Sequence, residues 1–233
     1  MKNNSCSHHA HSGKSERKCV SLVPIFNHLE ETQMDEVMQV VRPLAYKKGE
    51  FIYHPEDVSD ALYIVNRGNV KIYRLSETGK EQIIRMLHPG DFTGELALFR
   101  QSVHVAYAEA VTDTQICQIR SEDLQKLLLK YPTISLKILE EFSNRLDGSE
   151  KQTTSFATEK VETRIAYFLA DYVDGEGKDV VTLPMSKKDL ASYLGTTPET
   201  LSRKLTEFEE LGLIEQTGQR KIKIIDLDAL LFI

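Results

Sequence analysis

The feature that most constrains this chain is a pair of short amphipathic segments that meet at Gly195, near the C-terminus. Ser186 is a favourable helix N-cap with Asp189 three positions later, and glycine ends helices readily. Thr197 can cap the next segment, and Pro198 suits the first position of a helix. The sequence therefore predicts two short helices joined by a tight turn.

The flanks of these helices predict a winged helix-turn-helix. A helical segment from Glu159 to Tyr172 comes first, VVTLP follows as a strand, and LIEQTG with KIKIID forms a closing hairpin. A unit of this order places its second helix in the major groove of DNA. The apolar stripe expected on that helix is Leu201, Leu205, Phe208 and Leu211.

The other faces of the second helix carry short polar and charged side chains that suit base edges. Arg203 can make a bidentate contact to guanine, Ser202 can reach a base or a phosphate, and Glu199 can accept from cytosine or hold Arg203 in place. An ordinary amphipathic surface helix is the alternative interpretation. The predicted DNA contacts are Thr197, Glu199, Thr200, Ser202, Arg203, Lys204 and Thr206.

The net charge of −6 does not favour DNA binding, because affinity for the duplex comes largely from Lys and Arg contacts to phosphate. The acidic excess lies N-terminal to the predicted winged helix. The helix-turn-helix and its wing instead carry a basic cluster, which permits DNA binding without proving it. Its members are Lys187, Lys188, Arg203, Lys204, Arg220, Lys221 and Lys223.

The middle of the chain predicts a β-roll. Between about Tyr46 and Ile119, β-rich runs such as ALYIV and NVKIYRL are separated by glycines, which is typical of antiparallel strands joined by turns. The segment LEETQMDEVMQVV predicts a helix before the roll, and a second helix begins near Ser121 and ends before Pro132. The fold class is therefore α+β, with a sensor domain over residues 21–131.

A long central helix is expected from Pro132, continuing to about Asp171. Its polar middle, residues 147–155, is either a solvated turn or a deliberately weak dimer seam, since Gly148 costs a helix about 1 kcal/mol relative to Ala. We expect residues 132–158 to form a dimerisation helix and hinge, and residues 159–233 to form the DNA-binding domain. The predicted dimer contacts are Ile134, Ile138, Phe142, Arg145 and Leu146.

From about Cys19 to Ile225 the sequence resembles the cyclic-AMP-receptor and fumarate-nitrate-reduction (CRP/FNR) regulators. The resemblance rests on GDFTGELALF and on SKKDLASYLGTTPETLSRKLTEFEELGLI, together with the spaced glycines and the central helix. It implies a cyclic-nucleotide-binding-type roll, a homodimer, a palindromic site in double-stranded DNA and contact with RNA polymerase. The DNA-reading residues of the FNR branch match Glu199, Ser202 and Arg203.

The resemblance also bears on the signal that is sensed. Cyclic-AMP receptors carry an Arg-Ser or Arg-Thr pair after the GEL motif, and His104 and Val105 stand near those positions here. Arg100 is close in sequence but on the wrong side of the expected turn. Without the charge-assisted contact of the arginine to phosphate, we do not expect cyclic AMP to bind.

The cysteines suggest another signal. By the resemblance, Cys117 matches an iron-sulfur ligand of FNR-type sensors, Cys19 matches the last N-terminal ligand, and Cys6 is a plausible third. A 4Fe-4S cluster needs a fourth ligand, which His9 can supply, with His8 and His11 as alternatives. Residues 1–20 would then form a Cys/His-rich sensor segment.

Three further interpretations of the cysteines stay open, because the tight N-terminal cysteine group of the FNR family is missing. Zinc or iron can be held by the same Cys and His ligands. Cys6 and Cys19 can form a redox-switched disulfide. Finally, the tail can be disordered, with Cys117 a buried apolar residue.

We therefore expect a cytoplasmic transcription regulator that responds to oxygen or redox state, with no membrane partner. The alternatives are a metal- or thiol-sensing regulator of the same fold, and a cofactor-binding module that acts on a protein partner. An enzyme is not predicted, since the sequence has no nucleophile elbow, phosphate-binding glycine loop or metalloprotease motif.

Overall fold

The computed structural model describes residues 20–21, 23–99, 102–173 and 180–233. The chain divides into two compact units. The first contains the described residues up to Tyr73 together with Arg85–Ser143, and the second contains Arg74–Ile84 together with the described residues from Asn144 to Ile233. None of the helices in these ranges is both long and apolar enough to cross a membrane.

Antiparallel strands form the β-roll that the sequence predicted. One sheet has the strand order β1-β10-β4-β7, a second has the order β2-β9-β5-β6, and β3 pairs with β8. The strands are β1 (Arg42–Tyr46), β2 (Phe51–Tyr53), β3 (Val58–Ser59), β4 (Ala61–Arg67), β5 (Val70–Leu75), β6 (Glu81–Leu87), β7 (Phe92–Thr93), β8 (Ser102–Val103), β9 (Tyr107–Ala110) and β10 (Thr114–Arg120).

Gly94, in the GEL motif, is required by the close approach of two strands. Its φ of 83° is in the left-handed region, and a Cβ at this position would collide with the carbonyl oxygen of Ala61 on β4. The residue immediately precedes a short 3-10 helix, Glu95–Leu98. The glycine therefore lets the chain leave β7 against β4 without a steric clash.

The core of the first unit joins the roll to three helices, α1 (Glu31–Val40), α2 (Ser121–Lys130) and the start of α3 (Pro132–Thr158). Each helix contributes the apolar side chains of one face, as the sequence pattern predicted. The buried cluster consists of Val20, Val23, Ile25, Phe26, Val37, Leu62, Ile64, Phe92, Cys117, Ile119, Leu124, Leu127, Ile134 and Ile138.

The α3 helix is continuous over 27 residues, so the interpretation of residues 147–155 as a turn is wrong. Across Gly148, Lys151 pairs with Asp147 at 2.8 Å, an exposed ion pair one turn apart that offsets part of the cost of the glycine. The expected continuation to Asp171 is interrupted after Thr158, and a new helix begins at Val161.

The second unit contains the predicted winged helix-turn-helix. A small antiparallel sheet of order β11-β13-β12 forms the wing. The elements are α4 (Val161–Asp171), β11 (Val180–Thr182), α5 (Lys187–Tyr193), α6 (Pro198–Glu210), β12 (Ile214–Gln216), β13 (Lys221–Ile224) and α7 (Leu227–Leu231). The tip of the β5–β6 hairpin, Arg74–Ile84, belongs to this unit as well.

Candidate nucleic-acid interface and sensor residue

The α5 helix begins as the sequence predicts. The Ser186 hydroxyl accepts from the backbone N–H of Asp189 at 3.1 Å and donates to the Asp189 carboxylate at 2.6 Å. The Asp side chain therefore binds the cap hydroxyl itself, which is a shorter version of the expected capping box. The helix stops before Gly195, whose φ of 67° places it in the left-handed region.

The α6 helix, the predicted recognition helix, is capped by Thr197, whose hydroxyl accepts from the N–H of Thr200 at 3.2 Å. Leu201, Leu205 and Phe208 are buried, as expected. The expectation for Leu211 is wrong, because this side chain is 63% exposed. Leu211 is the C-cap of α6, so it lies beyond the last turn in which the buried stripe repeats.

Four of the predicted DNA contacts are exposed along α6, namely Glu199, Ser202, Arg203 and Thr206. Hydrogen bonds from its own backbone N–H and from the Thr197 hydroxyl hold the pKa of Glu199 below its ordinary value, so this carboxylate stays ionised. An ionised carboxylate repels phosphate but accepts readily from cytosine or pairs with arginine. The arrangement suits contacts to base edges.

Lys204, also predicted to contact DNA, is held on the inner side of α6. Its Nζ lies 3.3 Å from a carboxylate oxygen of Glu162 on α4 and 2.9 Å from one of Glu207. The hydrogen bonds to Glu207 and then to Glu162 raise the pKa of Lys204. The observed role of this lysine is to join α6 to α4.

Sequence reasoning missed a hydrogen-bond network that fixes the wing. Lys187, at the start of α5, donates to the Gln216 side chain at 2.6 Å. Gln216 in turn donates from its backbone N–H and its side-chain amide to the Glu209 carboxylate, at 2.8 and 3.0 Å. Nothing in the sequence marks these three residues as partners, because they belong to three separate elements.

Cys117 lies in the middle of β10, opposite Ile64 of β4 and Pro43 of β1. The side chain is 1% exposed and belongs to the apolar core that receives the start of α3. Its sulfur is disulfide-bonded, and the other two cysteines of the sequence, Cys6 and Cys19, are not among the described residues. The plain interpretation of Cys117 as an inert buried thiol therefore does not describe this structure.

The other predicted metal ligands lie outside the described residues: Cys6, Cys19, His8, His9 and His11. In the described ranges, no three His, Cys, Asp or Glu side chains stand close enough together to hold a metal ion. The described residues thus provide one candidate cluster ligand, Cys117, and its sulfur is already bonded. They do not by themselves form a cluster site.

Several polar side chains lie close to the GEL motif inside the roll. Arg85 on β6 lies 3.4 Å from the Glu95 carboxylate. His104, at the position near which cyclic-AMP receptors have their arginine, is buried and stacks on the Tyr53 ring at 3.6 Å. Burial lowers the pKa of His104, so its imidazole is neutral near pH 7 and gives no fixed positive charge to a phosphate. Arg100 lies outside the described residues.

The predicted dimer contacts divide into two groups. Ile134 and Ile138 are fully buried within the protomer, so they have no surface left for a partner, and Phe142 packs partly against the same core. Arg145 is half-buried and Leu146 is exposed. The exposed apolar side chains of α3 are Leu136, Leu139 and Leu146.

The two parts of the chain match two families. Residues 43–131 match the cyclic nucleotide-binding domain, and residues 163–233 match the Crp-like helix-turn-helix domain. The first match covers the strands of the roll and helix α2, and the second begins within helix α4 and covers the rest of the winged helix-turn-helix.

Full-length relatives are similar over nearly the whole chain. The probable transcriptional regulator Flp of Lacticaseibacillus casei is 35% identical over 210 residues, which are 90% of this chain and 95% of that one. The anaerobic regulatory protein of Haemophilus influenzae is 28% identical over 231 residues, 97% of this chain and 88% of that one.

Among solved structures, FixK2 from Bradyrhizobium japonicum superposes with a TM-score of 0.71 and 27% identity, over 82% of this chain and 96% of that one. The roll, the long helix and the winged helix-turn-helix thus occur together in known regulators, with the sequence likeness extending through all of them. The chain belongs to the CRP/FNR family of DNA-binding transcription regulators.

Proposed function

We propose that this regulator responds to oxygen or redox state through Cys117, and that it reads a palindromic DNA site as a homodimer. The observation that carries the proposal is the disulfide at Cys117. A cysteine that is 1% exposed and still bonded to a second sulfur ties a strand of the roll to another part of the chain. Cys6 and Cys19 are the remaining cysteines of the sequence and therefore the candidate partners.

The position of Cys117 explains how forming or breaking its disulfide can affect the DNA-binding part of the chain. The thiol belongs to the same packed core as Ile134 and Ile138, which are the first buried positions of α3. Close-packed cores tolerate small displacements poorly, so making or breaking a bond at Cys117 changes the packing around the start of this helix. The α3 helix then continues without a break towards the helix-turn-helix.

The chemical step is the oxidation of two thiols to a disulfide. Each sulfur loses its proton, a sulfur–sulfur bond forms, and two electrons pass to an oxidant such as molecular oxygen. Reduction by a cellular thiol reverses the step. A disulfide forms by attack of a thiolate, so the partner cysteine must reach the buried side chain of Cys117 on β10 before the bond closes.

An iron-sulfur cluster is the second candidate sensor. It is favoured by the likeness to a protein named as an anaerobic regulator. A cluster would need the reduced Cys117 thiolate together with Cys6, Cys19 and one histidine among His8, His9 and His11. Zinc or iron would use the same donors. Such a centre would supply oxygen-sensitive or structural metal chemistry, whereas a thiol switch needs no metal.

The dimer that we propose uses the exposed face of α3. Leu136, Leu139 and Leu146 are 67%, 58% and 61% exposed. Their spacing of three and seven residues fits the apolar positions of a coiled coil. Beyond Leu146 the same positions fall on Glu150 and Thr153. The seam is therefore apolar in its first half and polar in its second, which favours a dimer of moderate affinity. Contact with RNA polymerase is proposed from the family resemblance alone.

One experiment separates the candidate sensors. The protein is purified without oxygen, its iron, zinc, sulfide and free thiols are measured, and its operator is selected from random duplexes. We expect air to remove the Cys117 thiol together with one partner thiol, and to change operator affinity by about fivefold or more. Iron and sulfide in stoichiometric amounts would favour the cluster over the thiol switch.

Cysteine variants complete this test. Cys117→Ser removes the sulfur but keeps a small side chain, and we expect it to bind the operator equally with and without oxygen. Of Cys6→Ser and Cys19→Ser, the variant that lacks the partner should lose the response in the same way. If Cys117→Ser responds to air as the unmodified protein does, Cys117 is not the sensing residue.

A further inference from the structure

The β6 strand stands at the edge of its sheet, where β5 is its neighbour in the strand order. The outer edge of such a strand presents backbone N–H and C=O groups that need other partners. The first four residues of β6, Glu81 to Ile84, lie in the segment that belongs to the second unit. Within that unit, the outer edge meets the end of helix α5.

A single hydroxyl pairs with the edge of β6. The Ser192 Oγ donates to the carbonyl of Glu81 at 2.8 Å and accepts from the backbone N–H of Ile83 at 3.0 Å. Residues two apart on a strand point their backbone groups to the same edge. The serine thus occupies the place that a neighbouring strand would take.

Gln82, between these two residues, holds the backbone of the same serine. Its side-chain amide donates to the Ser192 carbonyl at 2.7 Å. That carbonyl lies in the last turn of α5, where carbonyls have no helical partner, and it also accepts from the N–H of Gly195. The hairpin therefore binds α5 at the point where the chain turns into the recognition helix.

We propose that the tip of the β5–β6 hairpin, Arg74–Ile84, is a working part of the DNA-binding unit, which sets the position of α5 through Ser192 and Gln82. The two strands of this hairpin also belong to the roll, since β5 begins at Val70 and β6 ends at Leu87. The arrangement with Ser192 bound to β6 is the one that favours operator binding. The proposal depends on the DNA-binding function of the family and not on the nature of the sensed signal.

Ser192→Ala is the primary test, because it removes the hydroxyl and leaves a residue that favours helices. We expect operator affinity to fall by about five- to tenfold, as for a typical coupling between two sites. The dependence of affinity on salt should not change, since no phosphate contact is lost. Gln82→Leu, which is outside the helix-turn-helix, should weaken binding in the same direction.

Hydrogen exchange supplies the second readout. Linkage requires that operator DNA strengthen the contact that strengthens DNA binding. Operator should therefore slow exchange of the Ile83 amide by about fivefold or more in the unmodified protein. In Ser192→Ala this slowing should disappear, although the variant still binds DNA at higher concentration. Ser192→Thr, which keeps the hydroxyl, should restore it at least in part.

Ser149→Ala is the matched control, because Ser149 is an exposed serine within helix α3. It should leave both operator affinity and Ile83 exchange unchanged. Thermal unfolding shows whether each variant folds, and if Ser192→Ala does not, Gln82→Leu carries the same test. Unchanged affinity, or Ile83 exchange that ignores operator DNA in the unmodified protein, would overturn the proposal. Loss of the response to air with these effects intact would instead overturn only the redox proposal.

Discussion

We propose that single residues at the start of α6 determine which DNA sequence the regulator recognises. Arg203 and Ser202 are exposed, and the ionised Glu199 stands one turn before Arg203 on the same helix. Lys204, next to them in the sequence, is instead bound to Glu162 and Glu207. Two adjacent basic residues therefore have different roles, one directed outward and the other holding the helix to its unit.

Arg203→Ala should weaken operator binding by about 1–3 kcal/mol and relax the preference at one base pair of each half-site, because a bidentate contact to guanine is lost. Titration of selected and single-base-substituted duplexes measures both effects. Arg42→Ala, at an exposed arginine of the roll, is the control and should change neither. Unchanged affinity in Arg203→Ala would instead favour a helix-turn-helix that contacts a protein partner.

At the scale of elements, α3 shows what an apolar sequence pattern can predict and what it cannot. The apolar spacing from Ile134 to Leu146 predicted a helix correctly, but it did not distinguish the protomer core from a partner. Ile134 and Ile138 pack into the roll, whereas Leu139 and Leu146 stay exposed. The apolar side chains of one helix can pack against the protomer core in one part and against a partner protomer in another. Periodicity alone does not show where the first kind of contact ends and the second begins.

Leu139→Ala combined with Leu146→Ala should raise the dissociation constant of the dimer by about thirtyfold or more, because burying a leucine contributes about 1.5–3 kcal/mol. Sedimentation velocity over a concentration series measures the change. Leu129→Ala, at the 85% exposed leucine of α2, removes a similar side chain away from α3 and should leave the dimer intact. Loss of dimer in Ile134→Ala without unfolding would contradict the assignment of that residue to the protomer core.

Features set by residues that are neighbours in the sequence could be predicted, whereas contacts between residues far apart in the sequence could not. The caps at Ser186 and Thr197 follow from neighbouring residues, so the helix-turn-helix was correct to within its ends. The contact of Lys204 with Glu162 and that of Ser192 with β6 join residues far apart in the chain. Composition and periodicity carry no information about such partners. The disulfide at Cys117 belongs to the same class, since the resemblance to FNR-type sensors favoured a cluster ligand at this position.

For the whole molecule, His104 links stability to pH. Burial lowers its pKa in the folded protein, although the nearby carboxylates of Asp57, Asp60 and Glu95 oppose the shift. The unfolded chain therefore takes up the proton at a higher pH than the folded chain does. Stability contributed by this group is present above the unfolded pKa, near 6.5, and is lost as pH falls from there through the lower pKa of the folded protein.

His104→Phe should flatten the loss of stability between about pH 7 and pH 5, because phenylalanine can stack on Tyr53 and does not titrate. Urea unfolding at a series of pH values gives the slope for each protein. The other histidines are present in both proteins, so the difference between the two slopes reports on His104. Equal slopes would mean that His104 titrates alike in the folded and unfolded chains.

The unbroken course of α3 through its polar stretch has a consequence for how this chain can change. Each residue of an α-helix turns the chain by about 100°, so one residue inserted between positions 147 and 155 would rotate everything beyond it by that angle. Seven inserted residues would nearly restore the original rotation of the chain beyond them, but they would lengthen the helix by about 10 Å. Substitutions in this stretch change neither the rotation nor the length of the helix. The number of residues here is therefore under tighter constraint than their identity.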